Sequence, residues 1–242
     1  MFTNNHIKLD AINSTNEYAL SLAATPVFKE GLVVSASYQS GGNGQRGKAW
    51  ESNPNENLLF SVVIQPNISI DKQSELSKIV ALAICDLLVD LGMKPKIKWP
   101  NDILVSKQKI AGILMQNKLK EDLIAHTVIG IGLNINQIHF QEYLPKATSL
   151  QLVLNKELDI AKIQAQLLQF LSHRIKRFRD GFTHEKEYHA ALFLKDKVAA
   201  FESSNQKFMG IIKEVSQSGK LLIQLEDDSI AAFNNQEVKF LF

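Results

Sequence analysis

The 242-residue sequence predicts an α+β fold: a main domain built on one mixed or antiparallel sheet, followed by a small β-domain. Three observations carry this. Residues 58–65 (LLFSVVIQ) and 127–136 (TVIGIGLNIN) are β-rich apolar runs of strand length. Between them, apolar side chains at Leu76, Ile79, Val80, Ala83 and Leu87 recur at helical spacing. After Lys195 the texture changes to short β runs with turn residues between them, the pattern of a small barrel.

The elements follow in order. Ser14-Thr15-Asn16-Glu17 contains S-x-x-E, a capping box that starts a helix continuing through Ala24 until Pro26. Gly31–Gln39 reads as a strand, the glycine-rich stretch QSGGNGQRGKAW (39–50) as a connection, and Leu58–Gln65 as the next strand. A helix is expected over 71–91, capped by Asp71 and stopped by Gly92. Ile97–Trp99, Ile103–Val105 and Ile110–Met115 are short strands parted by Pro100-Asn101-Asp102 and Ser106-Lys107-Gln108. Thr127–Asn136 is a strand whose Gly130 and Gly132 mark close approach of another backbone or a ligand. Helices are expected over 158–179 and 184–193. The β runs 197–201, 208–215, 221–225, 230–233 and 238–241 complete the chain, which divides into domains 1–194 and 195–242.

Composition excludes more than it assigns. A net charge of +2 without a basic tail gives no electrostatic footprint for nucleic acid. The first ten residues have no apolar core, and no run approaches the ~18 apolar residues of a membrane span. A single cysteine excludes an intramolecular disulfide and fits a reducing, cytoplasmic setting; Cys85, among Ile84, Leu87 and Leu88, reads as a buried thiol. His184 and His189 are five apart, so H-E-x-x-H is not met, and neither a Cys/His zinc cluster nor G-x-S-x-G occurs.

Residues 42–48 satisfy both G-x-G-x-x-G and G-x-x-x-x-G-K, yet neither nucleotide motif fits its surroundings. Ala49 replaces the hydroxyl that a P-loop uses on Mg²⁺, and Pro54 among turn formers prevents a helix from opening after the loop. The glycines still free backbone amides to cradle an anion, Arg46 and Lys48 bring charge, and Trp50 offers a stacking face. A surface loop with Trp50 packed in the core accounts for the spacing equally well.

The stretch KWPNDILVSKQKIAGIL (98–114) resembles the signature of biotin protein ligases, K-W-P-N-D followed by a lysine and A-G-I-L. Ser14-Thr15-Asn16 is similar to that family's S-T-N, residues 39–50 to its ligand-ordering loop, and 130–136 to its G-x-G-x-N strand. Gly210-Ile211-Ile212 and Gly219-Lys220-Leu221-Leu222 resemble parts of its small terminal barrel. The resemblance implies a catalytic domain of the class II aminoacyl-tRNA-synthetase-like/biotin ligase type with a largely antiparallel sheet, plus a C-terminal SH3-like β-barrel. It implies a two-step reaction. ATP and biotin, with Mg²⁺, give biotinyl-5′-AMP and pyrophosphate; biotin then passes to a lysine of an acetyl-CoA carboxylase biotin carboxyl carrier domain. Only thirteen residues precede Ser14, so a short form without a DNA-binding helix-turn-helix is expected. The family includes monomers and homodimers.

Roles are implied residue by residue. Lys109 matches the active-site lysine, in reach of the biotin carboxyl and the phosphate, and Lys98 is a second source of phosphate charge. Asp102 and Asn101 would help hold nucleotide and metal, with Asp102 also orienting the acceptor lysine. Ser14, Thr15 and Gln39 suit the ureido ring, and Asn16 completes the S-T-N match as a further ligand-binding position. Gly112, Ile113 and Leu114 on one strand, with Gly130 and Gly132 on another, would let backbone approach the fused rings. Trp50 would cover the adenine and Asn134 face the nucleotide, with Gly42, Asn43, Gly44, Gln45, Arg46, Gly47 and Lys48 folding over the ligand. The rival readings are a lipoate or octanoate ligase, whose R-R-x-S-G-G-G-type loop is only faintly echoed at 39–42, and a biotin sensor without transfer activity.

The loop departs from the family's G-R-G-R-x-G-R at Asn43, Gln45 and Lys48. Amides keep donors but lose charge, and lysine cannot form the bidentate fork of arginine. Each lost charge-assisted bond is expected to weaken retention of the adenylate by ~1–3 kcal/mol. Release of biotinyl-AMP is therefore expected to be faster than from an arginine-loop enzyme; an equally slow dissociation rate, measured directly, would contradict this.

Overall fold

The computed structural model of the chain describes residues 1–242 apart from 3, 4, 43, 45–48, 143, 144 and 242. Eight strands form the main sheet: β1 (His6–Ile12), β2 (Val33–Gln39), β3 (Asn57–Ile64), β4 (Ile68–Ser69), β5 (Lys96–Lys98), β6 (Asp102–Val105), β7 (Gln108–Lys120) and β8 (Leu123–Asn134). They run in the order β1-β2-β3-β8-β7-β6-β5, with β4 on β8. Only β1 and β2 pair in parallel, so the sheet is mixed and largely antiparallel. A second, antiparallel sheet contains β9 (Val198–Ser203), β10 (Gln206–Val215), β11 (Leu221–Gln224), β12 (Ile230–Phe233) and β13 (Lys239–Leu241), in the order β12-β11-β10-β9-β13.

All eight residues of β3 are buried, because both faces of this central strand are covered. Leu58, Phe60, Val62 and Ile64 point into the main core, which they share with α2 (Gln73–Asp90) and α4 (Ile160–Arg179). Val63 points the other way, with Val34 and Val128, toward Ala19 of α1 (Thr15–Ser21). Ser61 lies on that second face as well, by the period-2 alternation of a strand. α2 is buried on nearly every side, and even Lys78 is enclosed, its ammonium 2.7 Å from Glu75 and 3.5 Å from Glu185 of α5 (Glu185–Ala191).

Several sequence expectations shift. Asp71 does not cap α2: it sits inside a 3₁₀ turn (Ile70–Lys72), and the helix begins at Gln73 with no side-chain cap. β1 escaped the sequence reading because none of its residues is buried; its parallel pairing to β2 defines it. β7 and β8 extend beyond the apolar runs into a polar hairpin ending at Lys120 and Leu123, where pairing continues without a hydrophobic signal. Helix α3 (Leu150–Leu154) is too short to show a period. By contrast, the α1 start stands as read: Ser14 accepts from the Glu17 amide, and a 3₁₀ turn carries the helix to Ala24.

α4 and α5 are joined to α2 by a charge network centred on the buried Arg174. Arg174 grips Asp86 with two hydrogen bonds of 2.6 and 2.7 Å and also bonds Glu187, which Arg177 approaches at 3.3 Å. Burial alone would lower the Arg174 pKa, but Asp86 and Glu187 outweigh it and raise it. Burial likewise pushes the Cys85 thiol up to about 12, so it stays protonated and inert. His184, fully enclosed, has no hydrogen-bond partner at either ring nitrogen.

Burial first, then Arg174 and Arg177, lower the His184 pKa, against smaller opposing effects of Glu187 and Glu75. Partial desolvation, helped by the neighbouring Lys8 and Lys118, also lowers those of His6 and His126, the former on a strand edge that is not buried. As pH falls through about 6.5, the unfolded chain takes up protons that these folded histidines refuse, so stability is lost on the acid side. Thermal unfolding followed from pH 7.5 to 5 should show a falling Tm, and His184→Leu should make that fall shallower. An unchanged slope in the variant would remove His184 from the account.

Candidate active site

The cleft lies over the α1 face of β3, β8 and β7. Leu59, Gly132 and Gly112 occupy one row across these strands, and Ser61, Gly130 and Leu114 the next. The missing side chains leave room for two others. A Cβ on Gly132 would stand 2.5 Å from Trp50 Cε2, and one on Gly112 2.8 Å from Trp50 Cζ3, so the indole lies against bare sheet. A Cβ on Gly130 would stand 2.4 Å from the Asn16 side chain. The Trp50 amide donates to the Gly42 carbonyl at 2.7 Å, while the buried indole N–H has no partner among the described residues. Gly44 lines the cleft; Asn43, Gln45, Arg46, Gly47 and Lys48 lie outside the described residues.

A neutral hydrogen-bonding corner forms where α1 meets the sheet. The Thr15 amide and hydroxyl both donate to Gln39 Oε1, at 2.7 and 3.0 Å. Asn16 donates to the Leu114 carbonyl at 3.3 Å and to Gln116 Oε1 at 2.9 Å, and its own oxygen accepts from Ser61 at 2.6 Å. Asn16 is thereby committed to the protein at both ends of its amide; it lines the cleft as a clamp between α1 and β7. Ser61, also 2.8 Å from Thr15 Oγ1, and Gln116 were missed from sequence. A fully buried hydroxyl within the apolar run LLFSVVIQ was the available signal for Ser61.

The opposite corner is charged. Lys98 and Asp102 are register partners across the β5–β6 hairpin, whose turn holds a cis Trp99–Pro100 peptide. Asp102 meets Lys109 at 2.7 Å through Oδ1 and Lys98 at 3.4 Å through Oδ2. Each ammonium also faces an aromatic ring, Lys109 above Trp50 at 5.4 Å and Lys98 above Phe240 at 5.3 Å. Such contacts contribute about 0.5–2 kcal/mol each. A register shift between β6 and β7 places a bulge beside Lys109 and re-aims its side chain. The segment 145–149 straps this residue down: the Lys109 amide donates to Lys146 at 2.7 Å, and its carbonyl accepts from Thr148 at 2.9 Å. Asn101 turns inward, its amide donating to the Ile113 carbonyl at 2.9 Å.

Asn134 connects with the same strap. Its amide nitrogen donates to the Thr148 carbonyl at 2.9 Å, while its buried oxygen, in a residue that lines the cleft, has no partner among the described residues. Together these residues enclose about 1020 Å³. Ser14, Thr15, Asn16, Gln39, Trp50, Lys98, Asn101, Asp102, Lys109, Gly112, Ile113, Leu114, Gly130, Gly132 and Asn134, dispersed over 120 positions of sequence, all reach this one cleft, whereas Gly42 packs behind Trp50 and Gln39. Sequence reading did not foresee the far wall, where Asn235, Gln236, Val238, Lys239, Phe240 and Leu241 bring in the second sheet.

The expected metal position does not fit a resident ion. Each oxygen of Asp102 already faces an ammonium group, and among the described residues no three His, Cys, Asp or Glu side chains gather as a ligand set. What the cleft offers is a split environment. One end has neutral donors and acceptors over a flat floor; the other has two cations and an unsatisfied acceptor. Such a site accommodates a long ligand with a polar ring system at one end and an anionic, amine-bearing group at the other.

Comparison with known proteins agrees with this geometry. The model of the biotin/lipoate A/B protein ligase family matches residues 9–134, just over half of the chain. The bifunctional ligase/repressor BirA of Bacillus spizizenii is 34% identical over 72% of this chain and 54% of its own length, so the chain spans about half of that relative. The biotin–[acetyl-CoA-carboxylase] ligase of Mycobacterium tuberculosis is 29% identical over 88% of this chain and 80% of its own. The Aquifex aeolicus biotin protein ligase, solved with biotin and ATP, superposes with a TM-score of 0.81 at 23% identity over 99% of this chain and 100% of that one, a likeness of fold. By the match of its first half and the order of its motifs, the chain belongs to the biotin/lipoate A/B protein ligase family.

Proposed function

We propose that this chain is an ATP-dependent biotin–protein ligase. The observation that carries the reading is the pairing, within one cleft, of the Thr15–Gln39 hydrogen-bonding corner with the Lys98–Asp102–Lys109 cluster. The related Mycobacterium tuberculosis and Paracoccus denitrificans proteins are named biotin–[acetyl-CoA-carboxylase] ligases, which supports biotin over lipoate.

In this reading the ureido ring meets Ser14, Thr15 and Gln39, and the valeryl carboxylate points toward Lys109. That carboxylate attacks the α-phosphate of ATP. A P–O bond forms, the bond to the β-phosphate bridging oxygen breaks, and pyrophosphate leaves, giving biotinyl-5′-AMP. Lys109 and Lys98 lower the repulsion between the anions and oppose the charge that builds on the phosphoryl oxygens. The divalent ion enters with ATP, as Mg²⁺ on its phosphates, and is part of the substrate. The adenine amine donates to the free oxygen of Asn134, and Trp50 covers the ring. A carrier-domain lysine, as free amine, then attacks the anhydride carbonyl; the C–N bond forms, AMP departs, and the ammonium proton passes to Asp102 or solvent.

The acceptor in this reading is the biotin carrier domain of acetyl-CoA carboxylase, and the residues are assigned to ligation, not to transcriptional repression. The reading also takes 1–194 as a class II synthetase-like catalytic domain and 195–242 as an SH3-like barrel. The five short antiparallel strands of the second sheet support the latter.

Exchange of labelled pyrophosphate into ATP tests the first half-reaction. We expect exchange with biotin and none with lipoate or octanoate. Exchange driven by lipoate or octanoate instead would reassign the substrate, and biotin binding without exchange would make the chain a sensor. Lys109→Met should slow exchange by roughly 100-fold or more while the protein remains folded. Asn134→Ala should raise KM for ATP about five- to tenfold, the worth of one hydrogen bond, and leave KM for biotin in place.

A further inference from the structure

Phe240 lies on β13 of the second sheet, yet its ring reaches Lys98 of the main sheet, with the ammonium 5.3 Å from the ring centroid. Three further rings hold it in place. Phe240 meets Phe201 edge-on at 5.5 Å, Phe201 stacks on Phe208 at 5.5 Å, and Phe208 stacks on Phe233 at 5.7 Å. The pairings Phe240↔Phe201 and Phe201↔Phe208 are register partners on adjacent strands, so strand pairing fixes this row of aromatics. In the same hairpin, the Trp99 indole donates to the Gly219 carbonyl, in the turn between β10 and β11, at 3.0 Å. The second sheet and its β10–β11 turn therefore hold the β5–β6 hairpin at two points, Lys98 and Trp99.

We infer that Phe240 is a positioning residue for nucleotide binding: its ring face holds the Lys98 ammonium at the cleft wall for the triphosphate. The inference rests on the ligase reading and deepens it, by making the second sheet a working wall of the phosphate site. The choice of an aromatic group follows from charge. A carboxylate in this place would neutralise the lysine, as Asp102 already does in part at 3.4 Å. A ring quadrupole attracts the cation while leaving its full charge to act on a phosphate. The Lys98 side chain is only 16% exposed, so water competes little for the ammonium.

The test is steady-state pyrophosphate exchange with full-length variants. Phe240→Leu keeps the apolar bulk and removes the π face; Phe240→Tyr keeps the face. We expect Phe240→Leu to raise KM for ATP roughly three- to thirtyfold, with KM for biotin unchanged and the protein still folded, and Phe240→Tyr to restore the wild-type value. In a Lys98→Met background the Phe240→Leu effect should vanish, since the ring then has no cation to hold. Three results would overturn the proposal alone: wild-type KM for ATP in Phe240→Leu, equal increases for both substrates, or a Phe240 effect that persists without Lys98. A wild-type protein with no biotin-dependent exchange would instead overturn the ligase reading, and this proposal with it.

Discussion

Two lysines and one carboxylate set the terms for the rest of the structure. Lys98 and Lys109 are like charges gathered on the two oxygens of one carboxylate, and like charges brought together repel each other. Asp102 stands between them and makes their proximity tolerable. The β5–β6 hairpin sets Lys98 and Asp102 side by side, the irregularity in β7 brings in Lys109, and the 145–149 strap fixes its backbone. A triad of this kind, two ammonium groups and one carboxylate, retains a net positive charge at a partly buried wall of the groove. An incoming anion finds its counter-charge already assembled, so little reorganisation accompanies binding.

The other half of the site is governed by shape. Gly112 and Gly132 are direct register partners, and their bare backbone gives a floor flat enough for the Trp50 indole to lie in contact. Sequence reading assigned these glycines to ligand approach and left Trp50 divided between core packing and ligand cover. Both ideas concern the same surface. In this structure the indole occupies the floor, and the Trp50 amide is bonded to the Gly42 carbonyl. A side chain and a ligand that compete for one face must be accommodated in sequence or in layers.

Much of this was legible because short motifs encode local geometry. Lys98-Trp99-Pro100-Asn101-Asp102 announces a turn between strands, and strand alternation places Gly130 and Gly132 on one face. What stayed hidden depended on distant partners. Ser61 and Gln116 matter because they meet Asn16, 45 and 100 positions away. The strap from Pro145 to Ser149 has no periodicity and gains its meaning from Lys109. Phe240 sits in a short β run, and nothing local says that its ring faces a lysine 142 positions earlier. Likewise Asp71 has the chemistry of a helix cap, but a 3₁₀ turn at its position moved the helix start two residues on.

The chain has only two tryptophans, and the fold gives them different assignments. Both border the cleft, Trp50 with an indole N–H that has no partner among the described residues, Trp99 with its indole N–H bonded to Gly219 in the turn between β10 and β11. Intrinsic emission is therefore a two-channel signal. Both indoles border the groove, but only Trp99 is tied to the β10–β11 turn, so a single-tryptophan variant that keeps Trp99 also reports on the docking of the second sheet, without any external dye.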